Sequence, residues 1–313
     1  MAMNLYVTNK EKTMNKVIKH ILFAFLLLIS QLGFSQSGCW FSDLAKELNS
    51  GTDEFKTIIR NDPDGSFAYQ QLHLAGKSSL RKNPLALQAY TKTIGNIKLK
   101  ELGFTDELLA KVNGYSDASF AQLMQDLDKL GNHLATNNIK IDNFSSVIDI
   151  LKGGNANYRQ GVHWIVEDLG KELAFKGKNL QLELRVGNSR ETFSFIDLAC
   201  KNCSSKGTDI MIEYKSGPGS ITKETIQKQF IERDLFNANS LDEIQWRMKN
   251  TNLTKDQLVN WLTEHKSSIE SIGKEKISKL LNDKDLIEMT DSQVANKLIS
   301  YLGIESNYIK IFK

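Results

Sequence analysis

At Gly153-Gly154 the apolar residues of this chain change their spacing, and that change limits the folds open to it. Upstream, Phe41, Leu44 and Leu48, then Leu85, Leu87 and Tyr90, then Leu108, Leu109 and Val112 recur at roughly helical intervals. Breaks fall at Asn61-Asp-Pro-Asp-Gly65, Lys82-Asn-Pro84 and Asn113-Gly114. Ser116 or Asp117 can cap the next helix, whose stripe is Phe120, Leu123, Met124, Leu127 and Leu130. Downstream, Tyr158 to Leu173 reads as an amphipathic helix with Val162, Ile165, Val166 and Leu169 on one face. Alternating residues then predict strands over Leu180 to Val186, Glu191 to Ala199 and Asp209 to Lys215, with a turn at Gly187-Asn188. A helix over Thr222 to Phe236 and a fourth strand over Ile244 to Met248 come next. This order excludes a helix bundle and predicts an α+β fold with an α/β-like core. The expected organisation is a helical module over 36–154, a core over 155–250 and a helical C-terminal extension over 251–313.

Residues 1–35 read as a secretory leader. A basic segment, Met14-Asn-Lys-Val-Ile-Lys-His20, runs into the apolar stretch Ile21 to Phe34, too short to span a bilayer. Gly33 and Ser35 supply small residues before a cut at Gln36, and Met14 is a plausible start. The mature chain is expected to be exported, with no stable membrane span. Cys39 raises the alternative of lipid anchoring, against which Gln36 stands where an aliphatic residue is wanted. The formal charge of +3 belongs to this leader, where Lys10, Lys12, Lys16 and Lys19 face Glu11. The remainder is electroneutral, so any site for a polyanion must be local.

The chemistry gathers on the predicted second and third strands. Asp209, Met211, Glu213 and Lys215 share one face of the third, because strand side chains alternate. Asp197 lies near the end of the second. If the strands pair as a meander, Asp197 and Glu213 approach, and two close carboxylates repel unless a proton or divalent cation separates them. Oxygen ligands with water suit Mg2+ or Mn2+. The plainer alternative is a surface salt bridge between Glu213 and Lys215.

Asp197 and the triplet Glu213-Tyr-Lys215, on successive strands between two helices, resemble the PD-(D/E)XK nuclease superfamily. The resemblance covers about residues 155–250. It implies that Asp197 and Glu213 bind the metal and that Lys215 orients or activates the attacking water. It also implies an acidic residue on the preceding helix, where Glu167 is the candidate, and a glutamine on the following one, where Gln229 fits. Ile196 stands where the name-giving proline would be. The segment Ile226 to Leu235 looks like the stretch after the core in nuclease-like toxin domains of bacterial polymorphic toxins, which travel with an immunity protein. The expected function is therefore an exported nuclease acting on DNA or RNA, an antibacterial toxin in type. The alternative is an exported binding protein on which the fold persists without catalysis. A nucleic-acid cleft would have to draw on Lys201, Lys206, Lys215, Lys223, Lys228 and Arg233. For Cys200-Lys-Asn-Cys203, zinc would need two further ligands, and a local disulfide closing the loop is the alternative. His163 and Glu167, one helical turn apart, read as a helix-surface pair or as metal ligands.

Overall fold

The structure is a computed structural model, and residues 40–152, 156–186, 194–204 and 207–313 are described. The expected leader, Cys39, the Gly187-Asn188 turn and Lys206 lie outside them. The chain divides into two units, Met1–Thr52 and Asp53–Lys313. Helix Trp40–Ser50 belongs to the first, and every other described element belongs to the second. The described part of the second unit is α+β: helices around one five-stranded mixed sheet.

The helical part opens with α1 (Asp53–Asn61), α2 (Gly65–Leu74) and α3 (Pro84–Gly95). Asn83 caps α3 by accepting the N–H groups of Leu85 and Ala86, and Pro84 takes the first helical position, where a missing N–H is harmless. Ser116, the capping residue of α4 (Asp117–Thr136), accepts the N–H of Ser119. The stripe Phe120, Leu123, Met124, Leu127 and Leu130 is fully buried. Strand β1 (Lys140–Asp142) is a short segment that hydropathy does not mark, and α5 (Ser145–Lys152) and α6 (Ala156–Leu169) come after it.

The sheet order is β1-β2-β3-β4-β5, with β2 Asn179–Val186, β3 Ser194–Lys201, β4 Ile210–Ser216 and β5 Ile244–Lys249. Strands β2, β3 and β4 form an antiparallel meander; β1 joins β2, and β5 joins β4, in parallel. Between β4 and β5 the chain crosses over through a turn of helix (Lys223–Thr225) that continues as a ten-residue π-helix, Ile226–Leu235. Among the described residues no helix is long and apolar enough to cross a membrane.

Two layers cover the sheet. On one side Val162, Ile165, Val166 and Leu169 of α6 are buried, and Tyr214 of β4 joins them there. The Tyr214 hydroxyl donates to Asp168 of α6 (2.7 Å), and its ring meets Trp164 edge-on at 5.1 Å. Arg247 of β5 pairs with the same Asp168 and with Glu172 (2.8 Å), so a paired ionic group ties α6 to the sheet. On the other side lie α7 (Lys255–Glu264), α8 (Asp291–Leu302) and α9 (Glu305–Ile311). Both α7 and α8 begin with capping boxes, Thr254 with Gln257 and Thr290 with Gln293. Met211, Ile244 and Trp246 of the sheet share one apolar cluster with these helices and with Phe230 of the π-helix.

The chain ends inside this cluster. Phe312 bridges to Trp246 as a parallel β-bridge, stacks on Tyr308 at 5.3 Å and meets Phe230 at 5.1 Å. Residues 251–313 thus form one layer of the fold. Replacing a buried aromatic residue by alanine removes transfer energy and leaves a cavity. Phe312→Ala should therefore lower unfolding free energy by about 3–5 kcal/mol, measured by urea denaturation. A loss below about 1 kcal/mol would mean that the C-terminal layer is dispensable to the sheet.

Candidate active site

The meander brings three acidic residues into one cross-strand row. The β2–β3 register pairs Leu182 with Leu198 and Leu184 with Ile196, which sets Glu183 opposite Asp197. The β3–β4 register pairs Leu198 with Ile212, and one step further sets Asp197 opposite Glu213. Trp246 of β5 is the next neighbour of Glu213. At Asp197 both ladders lose a rung. Glu183 adopts φ +47°, a left-handed backbone that a non-glycine residue rarely takes in a strand. On the other side the Asp197 carboxylate, through Oδ2, accepts the Tyr214 N–H at 2.7 Å.

Along β4, Ile212 and Tyr214 lie buried on alternate positions to Met211, Glu213 and Lys215. Residue type alone makes the Glu213 face look like a poor core. Instead, Met211 and Trp246 make it part of the C-terminal core, and Glu213 is 6% exposed. A charge buried this deeply needs a partner. Lys215 supplies it, its Nζ 2.6 Å from Glu213 Oε2 and 5.0 Å from the centre of the Trp246 ring. The Trp246 indole N–H donates to Oδ2 of Asp234 at 2.7 Å, and Asp234 is fully enclosed. Asp197, Glu213, Lys215 and Asp234 therefore share one electrostatic neighbourhood.

Carboxylates outnumber cations in it, and the ionisation equilibria reflect this. Burial pushes the Asp197 carboxyl up, against the Lys215 charge and the Tyr214 N–H. Burial first and the Asp197 charge second raise Glu213 to about 8, with Lys215 opposing. Burial raises Asp234 to about 7, although the Trp246 hydrogen bond and Lys215 favour its ionised form. Burial works to lower Lys215, but Glu213 and Asp197 outweigh it and the ammonium holds its proton more tightly than usual. Lys215 is a cation here and not a base.

The other expected residues fall elsewhere. Glu167 lies on α6 between Lys171 (2.6 Å) and Lys249 (3.0 Å), whose hydrogen bonds lower its pKa to about 2. It lines a different cavity, together with His163, and is not gathered with Asp197. His163 and Glu167 do not pair with each other: His163 Nε2 sits 3.0 Å from Oδ2 of the buried Asp126 on α4, while Glu167 is taken by the two lysines. Gln229 is on the π-helix, its Oε1 buried and without a hydrogen-bond partner. In π winding, residues five apart come into register, which sets Gln229 one turn from Asp234. Of the basic residues expected to line a cleft, Lys201 pairs with Asp209 (3.0 Å) and Lys223 with Glu264. Cys200 and Cys203 form a disulfide that closes the loop after β3.

Asp197 and Glu213 each offer one carboxylate oxygen that accepts no hydrogen bond among the described residues. Two such oxygens completed by water suit Mg2+ or Mn2+, which are commonly held by one or two carboxylates. Among the described residues no three His, Cys, Asp or Glu side chains are arranged to hold a metal ion. Comparison with protein-family models, with curated proteins and with solved structures gave no match.

The pH dependence of stability reports directly on this cluster. Glu213 binds its proton more tightly folded than unfolded, so the folded state loses stability as pH rises from the ordinary 4.5 to about 8. Asp234 acts in the same sense up to about 7. Glu167 acts in the opposite sense, only as pH falls from 4.5 towards about 2. Without divalent cations the melting temperature should fall between about pH 5 and 8, and Glu213→Gln should flatten that slope. An unchanged slope in the variant would show that Glu213 ionises as an ordinary carboxylate.

Proposed function

We propose that the chain is an exported, Mg2+- or Mn2+-dependent nuclease that hydrolyses DNA or RNA phosphodiesters, an antibacterial toxin in type. One observation supports this most: Asp197 and Glu213 are cross-strand neighbours at the end of a meander, with Lys215 on the Glu213 side chain. The resemblance to the PD-(D/E)XK superfamily rests on those three residues. The helix, three-strand meander, crossover and parallel strand β5 are the framework that it would require. Export rests on the leader, and the toxin reading, with a cognate immunity protein as partner, rests on Ile226 to Leu235.

In this reading Asp197 and Glu213 hold the divalent ion, which supplies charge neutralisation and polarisation of the phosphodiester. Lys215, cationic throughout the neutral range, orients the attacking water and stabilises charge on the phosphoryl oxygens. Without an ion Glu213 keeps its proton up to about 8, so binding the ion would displace that proton, and the proton released by the attacking water would pass to solvent. Trp246 holds Lys215 over its ring and Asp234 at its indole N–H, so the cation keeps its place while protons move.

A second reading is favoured by the burial of the pair: the Glu213 and Lys215 side chains are only 8% and 11% exposed. In that reading the chain is an exported binding protein, and the ion pair serves the core. Cleavage of plasmid DNA and of RNA with Mg2+ or Mn2+, against a chelator control, separates the two. Nuclease function predicts metal-dependent cleavage that falls by about 100-fold or more in Glu213→Ala and in Lys215→Ala. Cleavage indifferent to both substitutions removes the assignment, and absence of cleavage with either metal leaves the binding protein.

A further inference from the structure

A cavity of about 520 Å³ opens beside Asp197 and Lys215 on the α6 side of the sheet. Its apolar wall comes from Val147 and Ile150 of α5 and from Val162 and Ile165 of α6. Tyr158, an aromatic ring 67% exposed to solvent, also lines it. The volume is within the range of small-molecule sites, and the lining joins an apolar wall to Asp197 and Lys215.

Gly161 shows that this space is kept open by the sequence. It sits inside α6, where glycine weakens a helix relative to almost any other residue. At Gly131, by contrast, an added Cβ would collide with Asn96. At Gly161 a Cβ would meet nothing within 4 Å, and its φ is not in the left-handed region. Neither packing nor backbone conformation requires the glycine. What it does is leave the cavity wide.

We propose that this cavity receives one unstacked nucleobase next to the phosphodiester attacked at Asp197 and Lys215, making single-stranded nucleic acid the preferred substrate. The proposal rests on the nuclease reading above. A base is uncharged, flat and apolar on its faces, which matches the aliphatic wall and the Tyr158 ring. The sugar–phosphate chain does not match it, because the carboxylates of Glu183 and Asp197 repel a run of phosphates. A base within a duplex would first have to leave its stack and its pair, whereas a single strand presents it at lower cost. The apolar wall offers few groups to read a base edge, so the preference is for unpaired bases and not for one sequence.

The test compares three substrates with the full chain and Mg2+ or Mn2+: an oligothymidylate strand, its duplex with oligoadenylate, and an abasic strand of equal length. Wild type should cleave the thymidylate strand about tenfold faster than the duplex or the abasic strand, in line with stacking energies. Gly161→Leu, which fills the cavity, should raise KM for the thymidylate strand about tenfold while leaving cleavage of the abasic strand unchanged. Its melting temperature should be no lower than wild type, since leucine is the better helix former. Ile150→Trp narrows the same cavity from α5 and should act alike. Equal cleavage of strand and duplex, or indifference to both substitutions, overturns the nucleobase site and leaves the nuclease standing. If none of the three substrates and no oligouridylate strand is cut, the nuclease reading itself fails, and the nucleobase site fails with it.

Discussion

The contacts of Trp246 organise this fold and its candidate chemistry together. The residue is fully buried, and its ring packs against Phe230 of the π-helix and Phe312 at the chain's end. Its indole N–H is satisfied by Asp234, and its face carries the Lys215 ammonium. A buried indole requires a hydrogen-bond acceptor, and a buried ammonium requires negative or π-electron surroundings. One side chain meets both needs, and in doing so fixes where Asp234 and Lys215 stand. The C-terminal helices, which cover Trp246, are therefore part of what defines the acidic cluster on β4.

That cluster is held away from electroneutrality by its own composition. Asp197, Glu213 and Asp234 surround one lysine, and Glu183 faces Asp197 across the meander. In low-dielectric surroundings such an excess of carboxylates is relieved by protons or by a bound cation. The raised values of Glu213 and Asp234 are the protonic solution. A divalent cation is the other, and the two compete for the same oxygens. In the proposed reading, a chain that is electroneutral over residues 36–313 would draw the positive charge for a phosphodiester from such an ion.

Much of this architecture is legible in sequence because it rests on local rules. Alternation places Ile212 and Tyr214 opposite Met211, Glu213 and Lys215, and the 3.6-residue period marks the buried stripe of α4. The cap at Ser116 and the break at Lys82-Asn-Pro84 read directly from residue type. The features that escape such a reading depend on long-range or irregular structure. Strand β1 is three residues long and owes its existence to pairing with β2. Asp234 joins the cluster only through π winding and a hydrogen bond to a residue twelve positions on. Glu183 reads as the solvent face of a strand, and nothing in its neighbours announces a left-handed backbone. Glu167 stands on the helix before the meander, where the resemblance places an acidic ligand, but Lys171 and Lys249 claim its carboxylate. Lys249 lies eighty-two positions away, beyond any local pattern.

The burial of Glu213 and the openness of the neighbouring cavity belong to one design problem. A carboxylate needs isolation from bulk water for its pKa to approach neutrality, yet a substrate needs a way in. The sheet answers by using both of its sides. Glu213 is sealed on the Trp246 side, while Asp197 and Lys215 reach the α6 side, where Gly161 keeps room. Lys215 belongs to both: it binds Glu213 through its ammonium and lines the cavity. An anion beside Lys215 would compete with Glu213 for the ammonium, so anion binding there and Glu213 protonation would be coupled by charge. Gly161, with free space where a Cβ would stand, lines the same opening and leaves it unfilled.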